Sequence, residues 1–333
     1  MTLRTIILAA AILLLAASAR ADGPPRLGLP LDCRMGETCW IMNYFDAESG
    51  PVAHDYRCGP HTYHAHGGVD FAVRDRKEMD RGVPVLAVAA GTVVQARDGE
   101  KDGVWAAGGQ KEVLAARREC GNRVVLDLGG WFADYCHMRS GSVAVKTGER
   151  VAAGQRLGLV GFSGMTDYPH VHLGLLRRNP DGTVGEAVDP FTGLAASAGC
   201  GHGGASAFAQ AIPYQHSSLF AAGFADHAPS AAELRVDASS PASLPAAAST
   251  IIQWGAVFAI DAGTAVSMRL TSPSGAVLAD DRTTAERALA LAVFALPRRA
   301  PAGGWAPGSY RGEITVTPPG GPAQTRAATI ELR

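Results

Sequence analysis

The apolar residues between positions 69 and 176 occur in short runs that turn-forming residues separate. The runs occupy residues 69–73, 83–89, 92–96, 124–128, 143–145, 156–160 and 171–176. Short runs of this kind, bounded by glycine, proline, asparagine and aspartate, are typical of β-strands. This stretch is therefore predicted to fold as an all-β domain.

A second group of strands is predicted near the C-terminus, at residues 233–237, 251–260, 265–271, 288–296, 308–317 and 326–332. In one of them Trp254, Ala256, Phe258 and Ile260 alternate with other residues, as in a strand with one buried face. Evenly spaced strands predict a small β-sandwich of immunoglobulin-like type over residues 231–333. The Gly- and Ala-rich stretch at 199–230 is interpreted as a linker.

The first 21 residues have the features of an export signal. Arg4 supplies the positive charge, residues 6–17 form an apolar run, and residues 19–21 read Ala-Arg-Ala, a small-x-small cleavage site. The apolar run is too short for a comfortable membrane span. The mature chain is therefore expected to be periplasmic or secreted, with no integral membrane segment after cleavage.

Charge excludes two classes of partner. The net charge is −1 and the pI is about 6.8, so the sequence offers no electrostatic case for binding nucleic acid or an anionic membrane. No sequence feature specifies an oligomeric state.

Six cysteines occur at positions 33, 39, 58, 120, 136 and 200, an even number consistent with three disulfides in an exported chain. Cys120 and Cys136 flank a predicted hairpin around residues 129–130, which favours a bond between them, although a tight two-residue turn would leave them out of register. The alternative, cysteine ligation of zinc, lacks any Cys-x-x-Cys pair. Residues 22–60 are predicted to form an N-terminal arm that the first three cysteines tie down beside the active-site groove.

Two segments carry residues suited to bind a metal. Residues 66–70 read His-Gly-Gly-Val-Asp, and the glycines favour a loop that enters a strand at 69–73. Residues 169–172 read Pro-His-Val-His, and histidines two positions apart on a strand point to the same face. Histidine and carboxylate from separate parts of a fold are common zinc ligands. His64 and His66 also form a His-x-His pair, which makes His64 a competing candidate, but the spacing to Asp70 selects His66.

With residues 135–137, which read Tyr-Cys-His, these segments resemble the lysostaphin-type zinc endopeptidases that cleave peptidoglycan peptides. The family pattern is His-x-Gly-x-Asp, then Tyr-x-His, then His-x-His. The resemblance covers about residues 60–195 and extends to residues 82–85, 89–93, 121–125, 145–148, 154–155, 161–164 and 188–190. It implies a zinc endopeptidase domain at residues 61–198.

Carried over by position, the resemblance implies one zinc ion per chain, with His66, Asp70 and His172 as ligands and water in the fourth place. Zinc lowers the pKa of bound water and so makes hydroxide available at neutral pH. His170 is assigned as the general base, and His137 is assigned to stabilise the oxyanion or protonate the leaving amine. The two roles can be exchanged. Tyr63 and Tyr56 are candidates to assist the oxyanion but are not included in the core set.

The two similar segments at residues 83–91 and 145–157 resemble the duplicated hybrid motif of biotinyl and lipoyl carriers as well as of these peptidases. The implied fold is a β-sheet or barrel-like domain, and such a fold does not by itself specify function. The complete His/Asp set favours the peptidase. The alternative is a non-hydrolytic cell-wall binding or activator module that regulates another wall hydrolase, although such modules usually lose ligands.

Two further features concern substrate fit. Tyr168 precedes the Pro-His-Val-His segment where the family commonly has a small residue, and Leu173 with Gly174 replaces Phe-Glu after it. Residues 98–119 interrupt the β pattern, with a helix expected at 111–118. This insertion is interpreted either as a solvated loop or as a lid or groove wall.

Overall fold

The structure of the protein, a computed structural model, describes residues 23–333. The predicted export signal, residues 1–21, lies outside the described residues. The α-helices of the described part are short: α1 (Arg76–Arg81), α2 (Gln110–Ala115) and α3 (Ala231–Val236). No helix in residues 23–333 has the length and apolar character needed to cross a bilayer.

The first β domain is built on one large antiparallel sheet. Its strands, together with a separate pair formed by β3 and β8, are β1 (Cys39–Asn43), β2 (Val69–Val73), β3 (Pro84–Leu86), β4 (Gly91–Arg97), β5 (Asn122–Asp127), β6 (Trp131–Met138), β7 (Arg150–Val151), β8 (Arg156–Leu159), β9 (His170–Arg178) and β10 (Val184–Val188). The order in the large sheet is β1-β2-β9-β6-β5-β4-β7, and β10 pairs with β9. The central strands β2 and β9 are therefore supported on both sides.

The two-residue period of these central strands separates core from site. In β2, Val69, Phe71 and Val73 lie in the main apolar core, and in β9, Val171 and Leu173 do the same. Alternate residues of a strand point to opposite faces. The histidines of β9 and the aspartate of β2 are consequently placed together on the other face of the sheet.

The predicted hairpin between β5 and β6 is confirmed, and so is the Cys120–Cys136 disulfide. The register shifts between Asn122 and Val124, and Gly121 and His137 both have positive φ, of 58° and 63°. These departures from a regular ladder remove the register conflict, and the His137 N–H donates to the Cys120 carbonyl at 2.8 Å. A Cβ on Gly121 would lie 2.4 Å from the Ser163 carbonyl carbon, so only glycine fits there.

The two other disulfides are Cys33–Cys39 and Cys58–Cys200, and no cysteine is free. The second bond ties the N-terminal arm to a segment 142 residues further along the chain. Since all six cysteines are paired, none is a thiolate that ligates zinc.

The second β domain is a sandwich. Its strands are β11 (Ser218–Ala225), β12 (Ser243–Leu244), β13 (Thr250–Ile260), β14 (Ala265–Thr271), β15 (Val277–Thr284), β16 (Leu289–Arg299), β17 (Gly308–Thr317) and β18 (Gln324–Leu332). One sheet has the order β11-β13-β16 and the other β12-β18-β17-β14-β15. The predicted fold class, an all-β chain with a second β domain, is confirmed.

Three local predictions were wrong. Residues 233–237, predicted as a strand, belong mostly to α3, which begins with a capping box between Ser230 and Glu233. The predicted linker at 199–230 contains β11, an almost entirely apolar strand that pairs with β13. Residues 143–145 are not a strand, because their contact with β8 rests on one backbone hydrogen bond, from Ala144 to Leu157.

The two β domains are joined by a shared apolar cluster. Trp40 of β1 lies against Phe220 and Phe258 of the sandwich, with ring centroids 5.8 and 5.9 Å apart. Tyr168 also packs on Phe258. Polar contacts surround the cluster, including the Ala238 N–H on the Asp75 carboxylate at 2.9 Å. The sandwich is thus seated next to the segment that leads into β9.

Candidate active site

The register of β2 against β9 positions the centre of the site. Asp70 lies directly opposite His172, and Ala72 opposite His170. Facing residues of antiparallel strands lie close enough for their side chains to interact. His66 reaches the same point from the loop before β2.

Three atoms that can ligate a metal form a nearly equilateral triangle. His66 Nε2 lies 3.1 Å from Asp70 Oδ1 and 3.0 Å from His172 Nδ1, and the third edge, from His172 Nδ1 to Asp70 Oδ1, is 3.0 Å. Ligand atoms of a tetrahedral zinc site with bonds of about 2.0–2.2 Å lie about 3.3–3.6 Å apart. The three atoms are only slightly closer than that, so the set fits one small cation with an open coordination position.

Two contacts from β1 and the residue after it orient this triangle. The Tyr44 carbonyl accepts a hydrogen bond from His66 Nδ1 at 2.6 Å, which leaves the lone pair of Nε2 facing the other donors. Asn43 Nδ2 donates to Asp70 Oδ2 at 2.9 Å, so Oδ1 remains directed into the triangle. Partners of this kind fix ligand tautomer and orientation in metal sites. Neither Asn43 nor Tyr44 was predicted from the sequence, which placed both only within the N-terminal arm.

Gly68 permits the close approach of His172. A Cβ at this position would lie 2.5 Å from the Leu173 carbonyl oxygen and 2.6 Å from His172 Nε2. The neighbouring Gly67 has no such contact, since the nearest atom to a Cβ there is 3.9 Å away.

Two further histidines face the triangle without belonging to it. His137 Nδ1 lies 2.8 Å from the Ser163 carbonyl, and His170 Nδ1 lies 2.8 Å from the Tyr168 carbonyl. Because a carbonyl oxygen only accepts hydrogen bonds, both Nδ1 atoms carry the ring proton. Both Nε2 atoms are therefore unprotonated and can accept a proton. His170 Nε2 is 3.4 Å from Asp70 Oδ1, and the rings of His137 and His170 are 4.7 Å apart. The structure therefore brings together all five side chains predicted from the sequence.

Compared with known protein families, residues 64–190 match Peptidase family M23. This stretch contains all five side chains. Residues 64–190 are a peptidase family M23 domain. The resemblance predicted from the motifs is thereby confirmed.

Individual relatives are similar to only part of the chain. Over 114 residues it is 32% identical to the peptidoglycan DD-endopeptidase ShyA of Vibrio cholerae, an alignment that covers 34% of this chain and 20% of that protein. The matched part thus spans about a fifth of the length of this curated relative.

Solved structures similar to the M23 domain include two catalytic domains. That of the prophage-encoded M23 protein EnpA from Enterococcus faecalis is 23% identical, covers 52% of this chain and 98% of its own, and has a TM-score of 0.32. That of lysostaphin from Staphylococcus simulans is 22% identical, covers 51% of this chain and 86% of its own, and has a TM-score of 0.27.

Burial and neighbouring groups determine the protonation states of Asp70 and His137. Burial raises the pKa of Asp70, but the surrounding His66, His170 and His172 favour its ionised form, outweigh burial and hold that pKa well below its usual range. Burial, with the charges of His170 and His172, lowers the pKa of His137 well below that of free histidine. Asp70 is therefore an anion and His137 a neutral imidazole at neutral pH.

The two tyrosines considered from the sequence lie in different places. Tyr63 stacks on His66 with ring centroids 4.4 Å apart, at the edge of the M23 site, and burial raises its pKa. Tyr56 instead stacks on Phe191 at 5.2 Å, in a separate aromatic cluster, and burial raises its pKa to about 12. Only Tyr63 is placed to meet a substrate.

Two other groups of side chains with metal-ligand chemistry occur in the described residues, and each includes disulfide-bonded cysteine. His64, the competing member of the first His-x-His pair, is exposed and is not part of the triangle. The insertion at 98–119 packs on residues 163–165, whose Ser163 carbonyl accepts the hydrogen bond from His137. The contact includes the Met165 N–H, which donates to the Glu119 carbonyl at 2.7 Å. The insertion includes α2, close to the predicted helix.

Proposed function

We propose that the chain is an exported zinc-dependent endopeptidase that hydrolyses peptide bonds in the stems or cross-links of peptidoglycan. The observation that carries the proposal is the triangle of His66, Asp70 and His172 beside two histidines whose Nε2 atoms are free. The family match supports the peptidase reaction. The motifs and the activity in the name of the Vibrio relative support peptidoglycan as the substrate.

In this proposal one zinc ion per chain is held by His66 Nε2, Asp70 Oδ1 and His172 Nδ1. When bound, zinc lowers the pKa of water to about 7 and polarises a peptide carbonyl. The protein supplies a buried carboxylate whose negative charge offsets part of the charge of the cation. It also holds each ligand in one orientation through Asn43 and the Tyr44 carbonyl.

The two remaining histidines perform the proton transfers. His170 accepts a proton at Nε2 as general base, and its Nδ1–H, held by the Tyr168 carbonyl, keeps the ring aimed at the site. His137 is held in the same way by the Ser163 carbonyl. Its Nε2 has no proton in this tautomer, so it first accepts the proton that His170 has taken from water and then passes it to the oxyanion or the leaving amine. The symmetry of these two arrangements is the reason that the roles can be exchanged.

The export signal predicted in residues 1–21 and the three disulfides support a periplasmic or secreted location, where the proposed substrate is found. No feature of the site favours the alternative of a non-hydrolytic activator module, since no member of the His/Asp set has been lost.

The deciding experiment compares zinc content and product release. Purified protein loaded with zinc is incubated with isolated sacculi, and soluble fragments are identified by mass spectrometry. We expect one zinc per chain and peptide-bond cleavage in the parent and in a His64→Ala control, and neither in His172→Ala. If the parent releases no fragments while His172→Ala binds zinc as well as the parent, the proposal is wrong. Stoichiometric zinc without cleavage would instead favour the activator.

A further inference from the structure

A cavity of about 400 Å³ lies between the M23 domain and the sandwich. Asn43, Tyr63 and Tyr168 line it from the first, and Arg235 and residues 288–291 line it from the second. Because the sandwich supplies one wall, the cavity exists only when the two domains are packed against each other.

The cavity lies next to the triangle of His66, Asp70 and His172. Asn43 holds Asp70, and Tyr63 stacks on His66, so two lining residues touch predicted zinc ligands. Tyr63 is 48% exposed, which leaves part of its ring available to a bound molecule. A peptide with its scissile bond at the triangle can therefore continue into this space.

The sandwich wall has the properties of a peptide-binding edge. In the described residues, strand β16 pairs with β13 along one side only, so its other edge carries unpaired N–H and C=O groups. Leu289 and Leu291 of β16 line the cavity, and Leu289 is 39% exposed. Both leucines also line a second cavity, of about 490 Å³, that follows β16 to Phe294. Extended peptides bind to such edges through main-chain hydrogen bonds, with pockets for side chains.

Arg235 provides a donor inside the cavity. Its Nη1 pairs with Asp167 Oδ2 at 2.8 Å, and its side chain, which lines the cavity, is 33% exposed. Because Asp167 already neutralises the guanidinium charge, the other N–H groups of the guanidinium suit a neutral carbonyl oxygen better than a carboxylate.

We propose that this cavity binds the part of the peptide substrate that continues beyond the scissile bond, extended along β16, with apolar side chains against Leu289 and Leu291 and a main-chain carbonyl on Arg235. The inference rests on the proposed function and adds to it the site that recognises the substrate away from the bond that is cut. The sandwich is then part of the substrate-binding site.

The test places a charge on the groove wall and compares it with the same change elsewhere on the sandwich. Leu289→Lys alters the groove, and Leu278→Lys is the matched control, because Leu278 is a 42% exposed leucine on β15 outside both cavities. Arg235→Lys keeps the charge opposite Asp167 but removes the planar guanidinium with its several N–H donors. Kinetics are measured with a cross-linked muropeptide. Binding of a fluorescent derivative is measured by anisotropy in a His170→Ala background.

We expect Leu289→Lys to raise KM and Kd about fivefold to tenfold with kcat within about twofold, since binding surfaces concentrate their energy in a few residues. Arg235→Lys should also raise KM and Kd. Leu278→Lys should change neither KM nor Kd. If the parent cleaves the muropeptide but Leu289→Lys behaves like Leu278→Lys, the groove assignment is wrong and the proposed function stands. If the parent neither cleaves nor binds it, both are wrong.

Discussion

The ring of Tyr168 packs edge-on against Phe258, with centroids 5.1 Å apart and planes at 83°. The backbone carbonyl of the same tyrosine accepts the Nδ1–H of His170. One residue thus links the sandwich core to the proposed general base. This contact gives a structural reason for the large side chain at a position where the family commonly has a small one.

Phe258→Ala should therefore lower kcat about tenfold, because a small displacement of a catalytic group is costly, while zinc content stays at one per chain. Phe224→Ala is the control, since Phe224 is equally buried in the sandwich but belongs to a cluster without M23 residues. Steady-state kinetics well below the melting temperature of both variants measure the effect. Equal kcat in the two variants would show that Phe258 acts only through stability. Phe258→Leu should restore most of the rate.

Asn43→Ala should weaken zinc binding about 10-fold to 100-fold, the usual effect of removing a group that holds a metal ligand. The reason is that Asp70 Oδ2 loses its donor and the carboxylate can rotate. Competition with a chromophoric chelator measures the affinity. Asn179→Ala, on an exposed loop, should leave it unchanged. An unaltered affinity in Asn43→Ala would mean that the triangle is held by its own ligands alone.

Gly68→Ala should abolish activity and destabilise the fold by about 1–3 kcal/mol, the usual cost of overpacking. The added methyl group overlaps His172 and the Leu173 carbonyl, and both are fixed in β9. Gly67→Ala has room for its methyl group and should retain both activity and stability. Urea unfolding and zinc analysis distinguish the two variants, and a fully active Gly68→Ala protein would contradict the close approach described here.

Asp189 should make the fold less stable as pH rises. Burial raises its pKa to about 7, against the opposing hydrogen bonds from Phe191 and Thr192. The unfolded chain, with its lower pKa, releases this proton first, so the stabilising effect of the neutral form is present below about pH 4 and is lost by about pH 7, at most about 4 kcal/mol.

Asp189→Asn should remove this dependence, so that the stability difference between variant and parent grows in favour of the variant from pH 4 to pH 7. Urea unfolding at several pH values measures it. Asp181→Asn, an exposed site, should give a difference that does not follow this trend. A constant difference for Asp189→Asn would indicate that Asp189 is ionised throughout.

Much of the M23 domain was predictable, because strand period and spacing are local properties. The runs at 69–73 and 171–176 became β2 and most of β9, and their alternation already placed the histidines on one face. The errors have local causes as well. Residues 233–237 contain apolar residues suited to a strand, but the Ser-x-x-Glu capping pattern at 230–233 started a helix.

The sequence by itself predicted which residues of β2 and β9 face the core, which five side chains lie together, and favoured a Cys120–Cys136 bond. The first prediction follows from strand periodicity, the second from motifs that resemble a known family, and the third from the hairpin between the two cysteines. Only the tertiary structure decided that Asn43 and Tyr44 hold the ligands, that Tyr168 rests on Phe258 and that β16 forms a wall of the groove. Those contacts join residues far apart in the chain, and they exist because burying the apolar faces of Trp40, Tyr168 and Phe258 together determines how the two domains are seated.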